Sequence, residues 1–176
     1  MIYFVWVIIM KELFANEVKD NVINEFGKNW ALVTARKKDG TFNMCTLSWG
    51  SIGVLWSKAV VTVYVKPIRH TDSFMFEDDY FTVTFFEEDH KKDLILCGSK
   101  SGRDMDKIKE SNLEVVNLEN GITYKDFKRV YVCKKIYQAP FVKEGFINND
   151  ETLQKYYKDE PFHNVYIGEI IKVYEK

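Results

Sequence analysis

Cysteine, proline and histidine are scarce, with three of each in 176 residues. Cys45, Cys97 and Cys133 are far apart and form no C-x-x-C pair, which excludes a disulfide framework or a zinc ribbon and predicts a reducing compartment, the cytoplasm. His70, His90 and His163 form no H-x-x-x-H pair, so no metal site is expected. Charge of one sign is also missing: 25 basic against 26 acidic residues leave a net charge of −1, where a nucleic-acid binder would show a basic excess. Long apolar runs are absent as well. MIYFVWVIIM stops at Lys11-Glu12, short of the about 20 residues a bilayer span needs, and it has neither the basic lead nor the small-residue cleavage site of a signal peptide. No membrane association is therefore expected. Residues 1–9 read as an apolar extension ahead of a second candidate start at Met10, and 10–176 as a single domain. Finally, there is no G-x-G-x-x-G, no G-x-x-x-x-G-K-[ST] and no G-x-S-x-G, so Rossmann, P-loop and α/β-hydrolase chemistries are disfavoured.

What the chain does have is aromatic and β-branched residues. Thirteen Phe, ten Tyr and four Trp sit among alternating runs, a pattern of half-buried strands. Asn16 is positioned to cap an amphipathic helix carrying Val18, Val22, Ile23 and Phe26, with Gly27 as its stop. Strands follow at Trp30 to Arg36 and from Thr41 through Ser48, joined by a turn ending in Asp39-Gly40. Ala59 to Lys66 is a strand with both faces covered, ended by Pro67. A short helix capped by Thr71 or Asp72 leads to a strand at Tyr80 to Phe86, and Glu87 to Cys97 is a further helix stopped by Gly98. Then comes a Gly/Ser loop feeding a short helix capped by Asp104. Val115-Val116, Ile122 to Tyr124, Arg129 to Tyr137 and Val165 to Tyr174 complete the strands, and Ala139 to His163 forms a long polar and aromatic excursion. About seven strands on mostly short connections predict a mainly β fold, an antiparallel barrel with a few short helices, since parallel pairs would need a helix in nearly every crossover.

The stretch from Asn43 to Thr71 has the parts of a cradle for a planar, phosphorylated ligand. Hydroxyls lie around Trp49 and Gly50, and Lys66, Arg69, His70 and Thr71 close it. A second loop, Ser99 to Lys107, also joins Gly and Ser to cations. A phosphate monoester is held by backbone N–H groups, hydroxyls and one or two cations. Composition alone favours a plainer reading, in which SKSGRD is a solvated helix entry and Arg69 makes a surface ion pair. Trp49 and Trp56 read first as core residues, with a wall beside a planar ring as the alternative. Cys45 reads as a small apolar strand residue, and His163 as a turn residue or a donor to an anion or ring carbonyl.

Taken together, Asn43-Met44-Cys45-Thr46-Leu47-Ser48-Trp49-Gly50, Lys66-Pro67-Ile68-Arg69-His70-Thr71, Ser99-Lys100-Ser101-Gly102-Arg103-Asp104-Met105-Asp106-Lys107 and His163 to Glu169 resemble, in type and order, the flavoredoxin-like branch of the flavin reductase family. The resemblance runs from Lys11 to Tyr174 and implies an FMN-binding split barrel. It implies that Asn43, Met44, Cys45, Thr46, Ser48, Trp49 and Gly50 line the isoalloxazine and ribityl chain. Lys66, Arg69, His70 and Thr71 would lie at the phosphate and ribityl end, with Lys100, Ser101, Gly102, Arg103, Asp104 and Lys107. His163 matches the family's histidine at the head of the last strand. Cys45 stands where Met is usual, and His70 where Tyr is frequent.

What the resemblance implies about function is an oxidoreductase in which NAD(P)H gives hydride to N5 of FMN and electrons pass to an acceptor. The alternative is an FMN-binding electron carrier reduced by a protein partner. No acid or base residue is required, because the flavin carries the chemistry. The same resemblance implies a homodimer, with the Phe141 to Phe162 excursion as a dimer contact or a lid.

Overall fold

The computed structural model describes residues 10–147 and 150–176, so the expected extension at 1–9 lies outside the described residues. The strands are β1 (Lys11–Leu13), β2 (Ala31–Arg36), β3 (Phe42–Leu47), β4 (Gly50–Leu55), β5 (Lys58–Val65), β6 (Tyr80–Phe86), β7 (Val115–Leu118), β8 (Gly121–Tyr124), β9 (Phe127–Pro140) and β10 (Asn164–Glu175). Four α-helical segments accompany them: α1 (Val22–Asn24), α2 (His70–Glu77), α3 (Lys91–Ser99) and α4 (Asp150–Tyr157). Eight strands form one antiparallel sheet in the order β3-β2-β6-β9-β10-β5-β4, with β1 paired to β10, and β7 and β8 form a separate hairpin. The protein is thus mainly β, as the alternating runs predict.

The order of this sheet dictates its shape. β3 and β4 are the two ends of the hydrogen-bonded path, yet only Ser48 and Trp49 separate them in sequence. Three Cα steps of about 3.8 Å hold Leu47 and Gly50 within about 11 Å of each other. The sheet must therefore curl until its edges nearly meet, and the seam it leaves is the split of a barrel.

Inside the curl Val33, Val61, Val63, Phe81, Val83, Phe85, Tyr131 and Tyr166 build the main core. A second core, with Leu32, Met44, Phe86, Leu94, Cys97 and Tyr124, lies between the sheet and α3 with its neighbouring hairpin. Hydrogen bonds of buried threonines seat that hairpin: Thr34 Oγ1 lies 2.9 Å from Tyr124 Oη, and Thr82 Oγ1 donates to the Ile122 carbonyl at 2.5 Å. All three cysteines are unpaired and buried. Burial pushes the Cys97 thiol up to about 11, so it packs as a small neutral side chain.

Several local expectations are corrected. The helix from Asn16 to Gly27 is broken: a 3-10 turn covers Ala15–Glu17, Asn21 caps α1, and a π turn over Glu25–Asn29 ends at Trp30, whose φ of 67° keeps it out of β2. α2 begins at His70 with Arg69 at its N-cap, ahead of the expected Thr71 or Asp72. The Glu87 to Cys97 helix is a 3-10 turn at Glu88–His90 followed by α3, which runs through Gly98 to Ser99. The short helix expected from Asp104 is absent: residues 105–114 form turns and bends.

Two larger elements were unforeseen. β4 pairs with β5 across a two-residue turn at Trp56 and Ser57, with φ of 52° and 60°. Such turns normally carry Asn or Gly, and neither is present there. The excursion holds the 3-10 turn Lys143–Gly145 and α4. Among the described residues no helix is long and apolar enough to cross a membrane, and no cluster of His, Cys, Asp or Glu resembles a metal site.

Candidate functional site

A cavity of about 430 Å³ opens at the seam between the sheet's two ends. One wall is the end of β3 and the link to β4: Cys45, Thr46, Leu47, Ser48 and Trp49. The opposite wall is the end of β5 and the loop after it, with Tyr64, Val65, Lys66, Ile68 and Arg69. Glu160 and His163, from the excursion and the approach to β10, complete the lining. Pro67 ends β5 by removing a ladder donor, which turns the chain so that Lys66 and Arg69 both face this space.

Arg69, Lys66 and Thr46 are each held by named partners. Arg69 Nη1 donates to Gly98 O at 2.6 Å, anchoring the guanidinium at the end of α3. Arg103 Nη1 returns the contact by donating to Ile68 O at 3.1 Å, so the two loops clasp each other. Lys66 Nζ pairs with the Glu160 carboxylate and also donates to Tyr156 O at 3.2 Å. Thr46 Oγ1 donates to Leu94 O at 2.5 Å. Trp49 remains 41% exposed, with Tyr156 edge-on at 5.1 Å and His163 tilted at 5.2 Å.

His163 is buried, and Tyr157 Oη lies 2.9 Å from its Nδ1. Burial first, then the Lys66 charge, pulls its pKa down to about 4, so the ring is neutral at neutral pH. With Tyr157 donating to Nδ1, the ring proton sits on Nε2, and a neutral imidazole still offers one N–H to a ligand. Lys66, by hydrogen bond and charge, holds the Glu160 carboxyl below its ordinary range. Cys45 is buried and its thiol is pushed up by desolvation.

The remaining sequence candidates lie elsewhere. Asn43, Met44, Gly102, Arg103, Asp104 and Lys107 line a second cavity, of about 760 Å³, beside the start of β3. Gly50, His70, Thr71, Lys100 and Ser101 line neither. Lys107 is buried, and its ammonium donates to Met44 O and Cys97 O at 2.8 Å each, a structural tie between β3 and α3. Asn43 Nδ2 donates to the buried Thr71 Oγ1 at 2.9 Å, fastening β3 to α2. Gly102 fits between Asn43 and His70, where a Cβ would stand 2.3 Å from Asn43 Oδ1. Gly50 presses on Phe26, whose ring would lie 2.4 Å from a Cβ at that position.

Comparison with known proteins settles the family. A family model described as the flavin reductase like domain matches residues 23–176. The chain belongs to that family. Among curated proteins none matches. Flavoredoxin from Methanosarcina acetivorans is similar in structure, with a TM-score of 0.65 at 24% identity over 84% of this chain and 68% of that one. An FMN-binding protein from Thermus thermophilus gives 0.64 at 20% identity, covering 83% of this chain and 69% of its own. Nitrilotriacetate monooxygenase component B from Bacillus cereus gives 0.62 at 18% identity, covering 92% and 79%. At these identities the likenesses establish the split-barrel fold alone.

In this flavin reductase domain, Tyr64, Ile68 and Glu160 reach the cavity without having been singled out in the sequence. Tyr64 sits on the strand face shared with Val60 and Thr62, and alternation alone does not separate the cavity from the core. Glu160 belongs to the excursion, where no periodicity marks it. No local signal points to it; its partner Lys66 is 94 residues away.

Proposed function

We propose that this flavin reductase domain binds FMN in the cavity at the barrel's seam and works as an FMN-dependent oxidoreductase with NAD(P)H as electron donor. The observation that carries the reading is the meeting of Lys66, Arg69, Trp49 and His163 around one space. The residues fit the group: two cations and the Ser48 hydroxyl suit a phosphate monoester, and an exposed indole suits a ring wall. A volume of about 430 Å³ lies in the usual range for cofactor pockets. The Thermus thermophilus neighbour is an FMN-binding protein by description, which supports the same cofactor.

When bound, FMN supplies the hydride acceptance and the onward passage of electrons. The protein's part is to hold and tune. Lys66 and Arg69 supply charge-assisted donors to the phosphate. Trp49 covers one side of the ring system. His163, neutral and oriented by Tyr157, offers an N–H where negative charge on a ring carbonyl needs a donor. Backbone N–H groups at the end of β3 serve the same purpose. No side chain is assigned as acid or base.

A homodimer and a reducing cytoplasm belong to this proposal. Val54 on edge strand β4 and Trp56 in the turn that follows it, 79% and 64% exposed, provide an apolar contact for a second copy. Purified protein that shows flavin absorbance, bleached by NADH or NADPH, would support the enzyme. Flavin bands that persist with both nicotinamides would favour the carrier, as the flavoredoxin likeness does. A colourless protein that takes up no added FMN would remove both.

A further inference from the structure

We infer that Glu160 is an internal occupant of the phosphate subsite, which a phosphorylated ligand must displace from Lys66. The inference rests on the cofactor reading above but concerns a residue that reading does not use. Lys66 is the more buried member of the pair, 15% exposed against 51% for Glu160, so the carboxylate arrives from the solvent side onto a cation already lodged in the cavity wall. Both residues line the same cavity.

The segment carrying Glu160 is laid over the cavity by contacts that do not involve its charge. Tyr156 meets Trp49 edge-on, Tyr157 bonds His163, and the Tyr156 carbonyl accepts from Lys66. A carboxylate so placed imitates the ligand anion. It satisfies the Lys66 ammonium in the absence of ligand, and it repels a second anion at the same spot. A carboxylate carries one charge and a phosphate monoester about 1.5 to 2 at neutral pH, so the phosphate is the stronger partner for Lys66 and Arg69 together. The consequence is selectivity. A ligand with a phosphate trades places with Glu160, while the same ring without a phosphate has no reason to move it.

The test compares FMN with riboflavin, which lacks the phosphate, in equilibrium titrations of the full chain and of Glu160→Gln. Exposed ion pairs carry small energies, so the expected gain in FMN affinity is about two- to five-fold, with riboflavin affinity unchanged. In a Lys66→Met background, adding Glu160→Gln is expected to give no further gain. An unchanged or weaker FMN affinity in Glu160→Gln overturns the inference and leaves the cofactor reading standing. Equal gains for FMN and riboflavin also overturn it, because they mark a general loosening of the excursion. If the unaltered chain binds neither flavin, the cofactor reading falls and the inference falls with it. Glu160 is half exposed, so the variant should keep the melting temperature of the parent, which thermal unfolding checks.

Discussion

Arg69 donates to Gly98 O in the last turn of α3 at 2.6 Å, and Arg103, on the loop that follows α3, donates back to Ile68 O at 3.1 Å. The two basic loops therefore act as one wall, and the arginines divide the work. Arg69 faces the cavity, while Arg103 lines the neighbouring one and fastens the wall from behind. Arg103→Ala should cost little global stability, about 0–1 kcal/mol for an exposed contact, yet speed amide exchange around residues 98–103. Exchange rates equal to the parent's would show that the clasp does not hold the loops.

Lys107 should behave as a structural residue. Its burial lowers its pKa, and its two bonds satisfy the Met44 and Cys97 carbonyls in the interior. Replacing it with Met orphans both acceptors, and roughly 1–3 kcal/mol for each predicts a loss of about 2–6 kcal/mol in urea unfolding. A variant as stable as the parent would mean that water reaches those carbonyls.

Thr71 should matter for the same reason at a smaller scale. Thr71→Val keeps the shape and removes the acceptor of the buried Asn43 amide, so a loss of about 1–3 kcal/mol is expected by chemical denaturation. Because neither residue lines the seam cavity, affinity for FMN in the folded variant should change less than it does in Arg69→Ala.

The pH dependence follows from His163. Its folded pKa of about 4 lies below the ordinary 6.5, so between these values the unfolded chain binds the proton that the folded chain refuses. Stability contributed by the neutral ring is complete above about 6.5 and is lost as pH falls toward 4. Carboxylates such as Glu160, whose pKa is also lowered, lose stability in acid as well, so the useful quantity is a difference. Melting temperatures of the parent and of His163→Gln should converge as pH drops from 7 toward about 4. Parallel curves would place the histidine in water.

The sequence made the sheet legible wherever period-two alternation coincided with burial, as in Tyr80 to Phe86 and Ala59 to Val65. It also indicated that Lys66 and Arg69 close the stretch opened by Thr46, Ser48 and Trp49, because a strand ended by Pro67 carries them there. It could not separate a cation that faces a cavity from one that ties the interior, since Lys107 and Lys100 look alike in a basic loop; one bonds two buried carbonyls and the other lines neither cavity. β4 was hidden by its turn, whose left-handed Trp56 and Ser57 lack the usual Asn-Gly marking. Glu160 was hidden by distance along the chain.

The central claim is that the seam cavity holds FMN by its phosphate, and an FMN titration of the parent, Arg69→Ala and Lys100→Ala tests it most directly. Saturable binding by the parent, weakened at least about tenfold by Arg69→Ala and unaffected by Lys100→Ala, is the predicted result, since a charge-assisted bond to phosphate is worth about 1.5–3 kcal/mol. Equal affinities in the parent and Arg69→Ala, or no binding by the parent, would contradict it.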